Sequence, residues 1–300
     1  MPSPSTREGF LVETSKLSIG FIGAGTVGTA LAIILGEKGY NFVGASRRTS
    51  AGPNVHGTPI SNFRILPDNQ AVADAAELVF ITTSDDAIGT VAQEVRWRRG
   101  QSVVHCSGAD STAVLEPARQ AGAQVGGFHP LQTFASVRQA VENLPGSTFA
   151  LEAEEPLLGT LKRMAEDAGG KWITLDGADK PAYHAAAVLA SNYLVTLVKM
   201  ATDLWKTFDI PSDAAVTALM PLIRGTLHNI ETVGLPDCLT GPIARGDTGT
   251  LRKHLATISA KTPSLLPAYR ELGLQTIPVS LAKGKISSDQ AREMETTLKN

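Results

Sequence analysis

Up to about residue 175, short runs of uninterrupted apolar residues alternate with stretches whose apolar positions recur at helical spacing. Residues 17–22 and 41–46 predict two strands around a helix over 26–38, with Gly39 as its stop signal. Runs at 77–82, 102–106 and 124–128 follow at the intervals of parallel strands joined by helices. Residues 147–151 and 171–175 predict two further strands flanking a helix near 156–168. Strands that are apolar throughout belong in a sheet covered on both faces. The expected fold class is therefore α/β, with a doubly wound, mostly parallel sheet.

The pattern changes after Gly177. Strand signals stop, and long helical patterns cover about 179–208, 212–233, 247–260, 264–282 and 288–299. Asp179, Ser212, Asp247 and Thr262 stand where N-caps belong, and Pro221 should kink the second of these helices. The chain thus divides into a flexible tail (1–16), an α/β domain (17–177) and an all-helical domain (178–300) for substrate binding or dimerisation. A length of 300 residues suits two domains of ordinary size.

Gly23-Ala24-Gly25-Thr26-Val27-Gly28 matches G-x-G-x-x-G between the first strand and the first helix. In that position the first glycine permits the tight turn, and the second lets a pyrophosphate approach the backbone. The third brings the helix close to the strand. Free N–H groups and the positive end of the helix dipole then face the phosphates. This is the signature of a Rossmann-type dinucleotide site. An NAD site places an acidic residue at the end of the second strand, for the ribose hydroxyls. Here Ala45-Ser46-Arg47-Arg48 stands instead, and two guanidinium groups beside a small hydroxyl suit a 2′-phosphate. The expected cofactor is NADP. Thr83 and Ser84, small polar residues after the third strand, belong under the nicotinamide half, and Asp85 or Asp86 is the expected cap of the helix that follows.

A hydride acceptor needs a proton donor beside it. Lys180, His184, Val188 and Asn192 recur every four residues at the start of the helical domain, with Ser191 alongside. A lysine in a first helical turn meets the positive dipole end, and a protonated His184 one turn on would repel it. Both effects favour proton release, so Lys180 or His184 is the expected donor, with Asn192 orienting the substrate. Ser107 and Gly108, after the fourth strand, could present N–H groups to a carboxylate. His129, held extended before Pro130, could aim its ring into the cleft. Arg245, in the loop 240–247, could clamp a carboxylate with a forked pair of hydrogen bonds, and Ser191 joins the same substrate set. His105, His129 and His184 lack paired ligand spacing, so no metal is expected. No G-x-S-x-G elbow supports a serine hydrolase.

Composition narrows the class further. Lys and Arg number 27 against 29 Asp and Glu, for a net charge of −2, so the basic footprint of a nucleic-acid binder is missing. Cys106 and Cys238 are too few for a disulfide scaffold, and a reducing cytoplasm is the expected compartment. Residues 17–36 and 181–198 are uncharged. The first holds five glycines and the second holds His184, Ser191, Asn192 and Tyr193, so neither is expected to span a membrane.

The chain resembles small bacterial oxidoreductases that join a Rossmann-like N-terminal domain to a C-terminal helical domain of formerly unknown function. The resemblance rests on GAGTVG at 23–28, SGA at 107–109, HPLQTF at 129–134, YHAAAVLASNYL at 183–194 and LTGPIARGD at 239–247. That family looks like a branch of the 6-phosphogluconate-dehydrogenase-like group, beside ketopantoate reductases, pyrroline-carboxylate reductases and prephenate dehydrogenases. The resemblance implies NADPH-dependent reduction of a small carbonyl substrate, a 2-oxo acid such as ketopantoate, in a cleft between the domains. Lys180 matches the catalytic lysine of ketopantoate reductases. His184 and Val188 stand where those enzymes carry asparagines, and Asn192 comes one turn later. The alternatives are a cyclic imine reductase of the pyrroline-carboxylate type and a dinucleotide-binding protein without turnover. Apolar faces on the C-terminal helices also suggest a homodimer.

Overall fold

The computed structural model describes residues 17–47 and 64–300. The chain opens with β1 (Ser18–Ile22), α1 (Thr26–Glu37) and β2 (Asn41–Ser46), then α2 (Asn69–Ala75), β3 (Leu78–Ile81) and α3 (Asp85–Glu94). β4 (Ser102–His105), α4 (Glu116–Gln120), β5 (Gln124–Leu131), α5 (Val137–Asn143), β6 (Thr148–Ala153), α6 (Leu157–Asp167) and β7 (Lys171–Thr174) complete the α/β part. The seven strands form one sheet in the order β2-β1-β3-β4-β5-β6-β7. All neighbours are parallel except β5 and β6, which run antiparallel. Phe21, Phe80, Phe128 and Phe149 pack in a row across one face with successive ring centroids 5.2, 5.7 and 4.7 Å apart. Ile22, Val79, Ile81 and Val103 are buried on the other, with α2 and α3 residues.

One row across that second face decides where chemistry can sit. Ile22 pairs with Ile81, Ile81 with His105, His105 with Gly127 and Gly127 with Glu152. Residues paired across a sheet present their side chains to the same face. The row therefore begins apolar and ends with an imidazole, a gap and a carboxylate.

The fifth strand runs three residues beyond the expected 124–128, so His129 and Pro130 lie in it and not in a loop. They pair with Ala150 and Phe149 of β6. β4 ends opposite Gly127, which leaves the other edge of β5 open beyond that point. A proline has no N–H to offer and is tolerated on such an edge. Helix α3 is preceded by Ser84, with Asp85 and Asp86 in its first turn, so neither aspartate is the cap.

Helix α7 (Lys180–Ala190) follows a 3-10 turn at Gly177–Asp179, and α8 (Asn192–Lys206) follows it. The single helix expected over 179–208 is thus two, interrupted at Ser191, which has φ −114°, ψ −68°. The chain divides into compact units at Met1–Leu189 and Ala190–Asn300, so α7 belongs to the first unit, past the boundary at Gly177 suggested by the change of pattern. Taken together, Gly177–Lys206 is long and apolar enough to cross a membrane by length and composition. Its Lys180, however, is fixed within the first unit by the hydrogen bond described below.

In the second unit α8 packs against α9 (Ser212–Thr232). α10 (Thr248–Lys261), α11 (Leu266–Ala282) and α12 (Ser288–Lys299) enclose Leu251, Ile277, Met294 and Leu298. Asp247 caps α10 as expected, accepting from the Thr250 N–H at 2.9 Å and the Thr250 hydroxyl at 2.7 Å. Of the other expected caps, Pro211 takes the place of Ser212, and Asp179 lies in the 3-10 turn. α8 and α9 leave large apolar side chains in solvent, among them Val195 (71% exposed) and Leu222 (67%).

Candidate functional site

Two polar regions of the first unit lie where the parallel strands end. The first is the glycine turn. Gly23 has φ +102°, and a Cβ there would come 2.8 Å from the Thr82 carbonyl carbon. A Cβ on Gly28 would meet Thr82 Oγ1 at 2.3 Å and the Gly23 carbonyl at 2.7 Å. Above Gly25, by contrast, an added Cβ would find nothing closer than 3.9 Å, so the turn is open on the side a phosphate must approach. The N–H groups of Gly23 and Ala24 both donate to the Ser46 carbonyl, at 3.1 and 3.0 Å. They hold the turn down, and the amides of Gly25, Thr26 and Val27 remain for the diphosphate. The residues fit a dinucleotide.

At the end of β2, Ser46 is 1% exposed and its hydroxyl donates to Asn69 Oδ1 at 2.7 Å. Its expected contact with a 2′-phosphate is therefore corrected: the hydroxyl is buried and already engaged. Arg47, Asn69, Asp68, Gln70 and Glu94 line a hollow of about 360 Å³ beside it. Asn69, whose Oδ1 is turned to Ser46, is a functional candidate that strand-end reasoning missed, because it comes from the start of α2. Arg48 lies outside the described residues. Thr83 Oγ1 donates to the Ser84 carbonyl at 3.2 Å, while the preceding Thr82 does the structural work by donating to the Gly23 carbonyl at 2.6 Å.

The second region gathers five of the expected residues, Ser107, Gly108, His129, Lys180 and His184. The hollow in the sheet at Gly127 is filled by the Lys180 ammonium, which would sit 3.1 Å from a Cβ at that position. Lys180 is 1% exposed, donates to the Ser107 carbonyl at 2.9 Å and lies 3.8 Å from Glu152 Oε2. Glu152 Oε1 accepts from the Thr112 N–H at 3.0 Å and the Thr112 hydroxyl at 2.8 Å. Burial pushes the Lys180 pKa down, opposed chiefly by the Glu152 charge. Removing one partner of such a buried pair costs about 3–5 kcal/mol.

Ser107 does not offer its N–H to a ligand, contrary to expectation. That N–H donates to His105 Nδ1 at 3.1 Å, and the Ser107 hydroxyl donates to Asp110 Oδ2 while accepting from the Ala109 and Asp110 amides. Gly108 sits directly beneath two imidazoles: a Cβ there would lie 2.8 Å from His129 Nε2 and 2.8 Å from His184 Cδ2. His129 Nδ1 shares a 2.8 Å hydrogen bond with the Tyr183 hydroxyl. Burial, then the Lys180 charge, holds His105 down to about 3 and His129 to about 4. Burial pushes Tyr183 up to about 12. At neutral pH His105 and His129 are therefore neutral and Tyr183 keeps its proton, so these three groups exchange hydrogen bonds without carrying charge.

Glu152, Thr112 and Tyr183 were not singled out by sequence reasoning, and His105 was weighed only within a metal triad that its spacing did not support. A glutamate inside the apolar strand FALEA was the available signal for Glu152. Ser191, Asn192 and Arg245 belong to the second unit. Arg245 closes a 3-10 turn, Ile243–Arg245, ahead of the left-handed Gly246.

A Rossmann-like family model matches residues 1–130, and the model of a domain of unknown function, DUF2520, matches 147–276. A comparison with curated protein sequences found no match. Among solved structures, a candidate NADP oxidoreductase from Bacteroides fragilis is 24% identical, with a TM-score of 0.72, over 88% of this chain and 99% of that one. A reductive aminase from Aspergillus terreus, solved with NADPH and ethyl levulinate, is 16% identical, with a TM-score of 0.62, over 93% and 99%. The pyrroline carboxylate reductase of Plasmodium falciparum, with NADP bound, is 12% identical, with a TM-score of 0.57, over 95% and 99%. At these identities the likeness is one of fold. The glycine turn lies in the segment that matches the Rossmann-like model, so the chain carries a Rossmann-like segment followed by one that matches the DUF2520 model.

Proposed function

We propose that this protein is an NADP-dependent oxidoreductase that reduces a small carbonyl substrate, a 2-oxo acid such as ketopantoate. The observation that carries it is the glycine turn, pinned by Thr82 and Ser46 beneath and open above Gly25. Gly25, Thr26 and Val27 would hold the diphosphate, and Arg47 with Asn69 would hold the 2′-phosphate. When bound, NADPH supplies the hydride. His184, half-buried over Gly108, supplies the proton to the acceptor oxygen, and the His129–Tyr183 pair orients that atom by hydrogen bonding.

A cyclic imine is the second reading. It is favoured by the uncharged state of His105 and His129, which suits a substrate that already carries its own proton on nitrogen. The names of the reductive aminase and of the pyrroline carboxylate reductase point the same way. NADPH absorbance followed against a panel of 2-oxo acids and cyclic imines, ketopantoate included, decides between the two. If NADPH binds and no member of the panel is reduced, the dinucleotide-binding protein without turnover is what remains. We also place the protein in the cytoplasm and propose that it self-associates through the apolar faces of α8 and α9.

A further inference from the structure

We propose that Lys180 is a positioning residue and not the proton donor: with Glu152 it forms a brace that sets the Ser107 turn under His129 and His184. The assignment rests on the reductase reading of the same site. Its geometry starts in the sheet. Gly127 lacks the side chain that would fill the row between His105 and Glu152, and the Lys180 ammonium occupies that gap. Glu152 is itself fixed by two hydrogen bonds from Thr112, so the cation is held by a carboxylate that cannot swing away. The ammonium then donates to the Ser107 carbonyl, and the next residue, Gly108, is the floor on which both imidazoles rest.

Helix α7 grips this turn twice. Lys180 and His184 are four residues apart and so share one face of the helix. The first holds the turn at Ser107 and the second presses on it at Gly108. A group 1% exposed and bonded to a backbone carbonyl is poorly placed to hand a proton to a substrate. It is well placed to fix the height of the groups that can.

The test uses Lys180→Met, Glu152→Gln and the double variant in the full-length protein, with histidine-selective NMR and steady-state kinetics. Glu152→Gln keeps an oxygen for Thr112 and weakens only the hold on Lys180, so it remains informative if Lys180→Met does not fold. The ring resonances of His105, His129 and His184 should shift in both single variants while those of His228 and His254 stay in place. A general loss of stability would not move the ring signals of molecules that remain folded. With the best substrate of the panel, turnover should fall about 100-fold in each single variant, the effect of a misplacement of about 1 Å. KM and NADPH affinity should change less than threefold, and the double variant should fall no further than the singles, as expected for two residues acting through one contact.

Unmoved ring resonances in Glu152→Gln overturn the brace. So does full turnover in Glu152→Gln beside its loss in Lys180→Met, the pattern a proton-donating lysine would give. The resonances need no substrate, so they decide the brace even if the panel yields none. Failure of NADPH to bind the wild-type protein in a calorimeter would instead remove the reductase reading.

Discussion

Thr82 Oγ1 donates to the Gly23 carbonyl at 2.6 Å, tying the end of β3 to the first residue of the glycine turn. The same oxygen is what a side chain at position 28 would strike, at 2.3 Å. The third glycine of the motif is thus required by a hydroxyl 54 residues away as well as by helix packing.

Gly28→Ala should therefore cost stability and binding together. Inserting one methyl into so tight a contact is expected to cost about 1–3 kcal/mol. Thermal unfolding would show the loss, and calorimetric titration should show NADPH affinity reduced. Unchanged values on both would mean that α1 can move away from Thr82 freely.

Arg47→Ala and Asn69→Ala test the choice between NADP and NAD. Hydrogen bonds to a charged group are worth about 1.5–3 kcal/mol, so NADPH should bind about tenfold more weakly or worse. NADH, without the 2′-phosphate, should bind as it does to the wild type. Equal losses for both dinucleotides would show that these residues serve the fold of the pocket.

His184→Ala should lower turnover by about 10²–10⁴-fold, the usual contribution of a positioned proton donor, with NADPH affinity retained. Tyr183→Phe removes the hydroxyl from His129 Nδ1 and should lower turnover less, since the ring and its packing stay. Stopped-flow hydride transfer separates the two variants.

The buried imidazoles predict an acid limit to stability. An unfolded histidine accepts a proton near its ordinary value of 6.5, whereas His129 in the folded protein refuses it until about 4 and His105 until about 3. Acid therefore draws the equilibrium toward the unfolded chain, and stability should fall as pH drops from about 6.5 to 4. His129→Asn should flatten the melting-temperature profile across that window. A wild-type profile already flat there would mean that the ring is protonated in the folded state.

Leu222→Asp and Val195→Asp place charge on the exposed apolar faces of α9 and α8. If these faces join two copies, sedimentation should show wild-type dimers and variant monomers.

The sequence by itself determined the sheet, the glycine turn and the helical second half, because each is written in local terms: apolar period, glycine spacing and capping. It also brought Lys180 and His184 onto one helix face, since four-residue spacing needs no tertiary information. Only the folded chain decided what that face does. The gap at Gly127, the carboxylate of Glu152 and the carbonyl of Ser107 come from three separate segments, and their meeting depends on strand register. A lysine read as a proton donor from its place in a helix is found buried and bonded to the Ser107 carbonyl, and the sequence could not show this, because burial and partnership are properties of contacts between distant residues. The end of β2 gave the same lesson on a smaller scale: Ser46 was legible as a small hydroxyl beside two arginines, and only the approach of α2 turned that hydroxyl inward to Asn69.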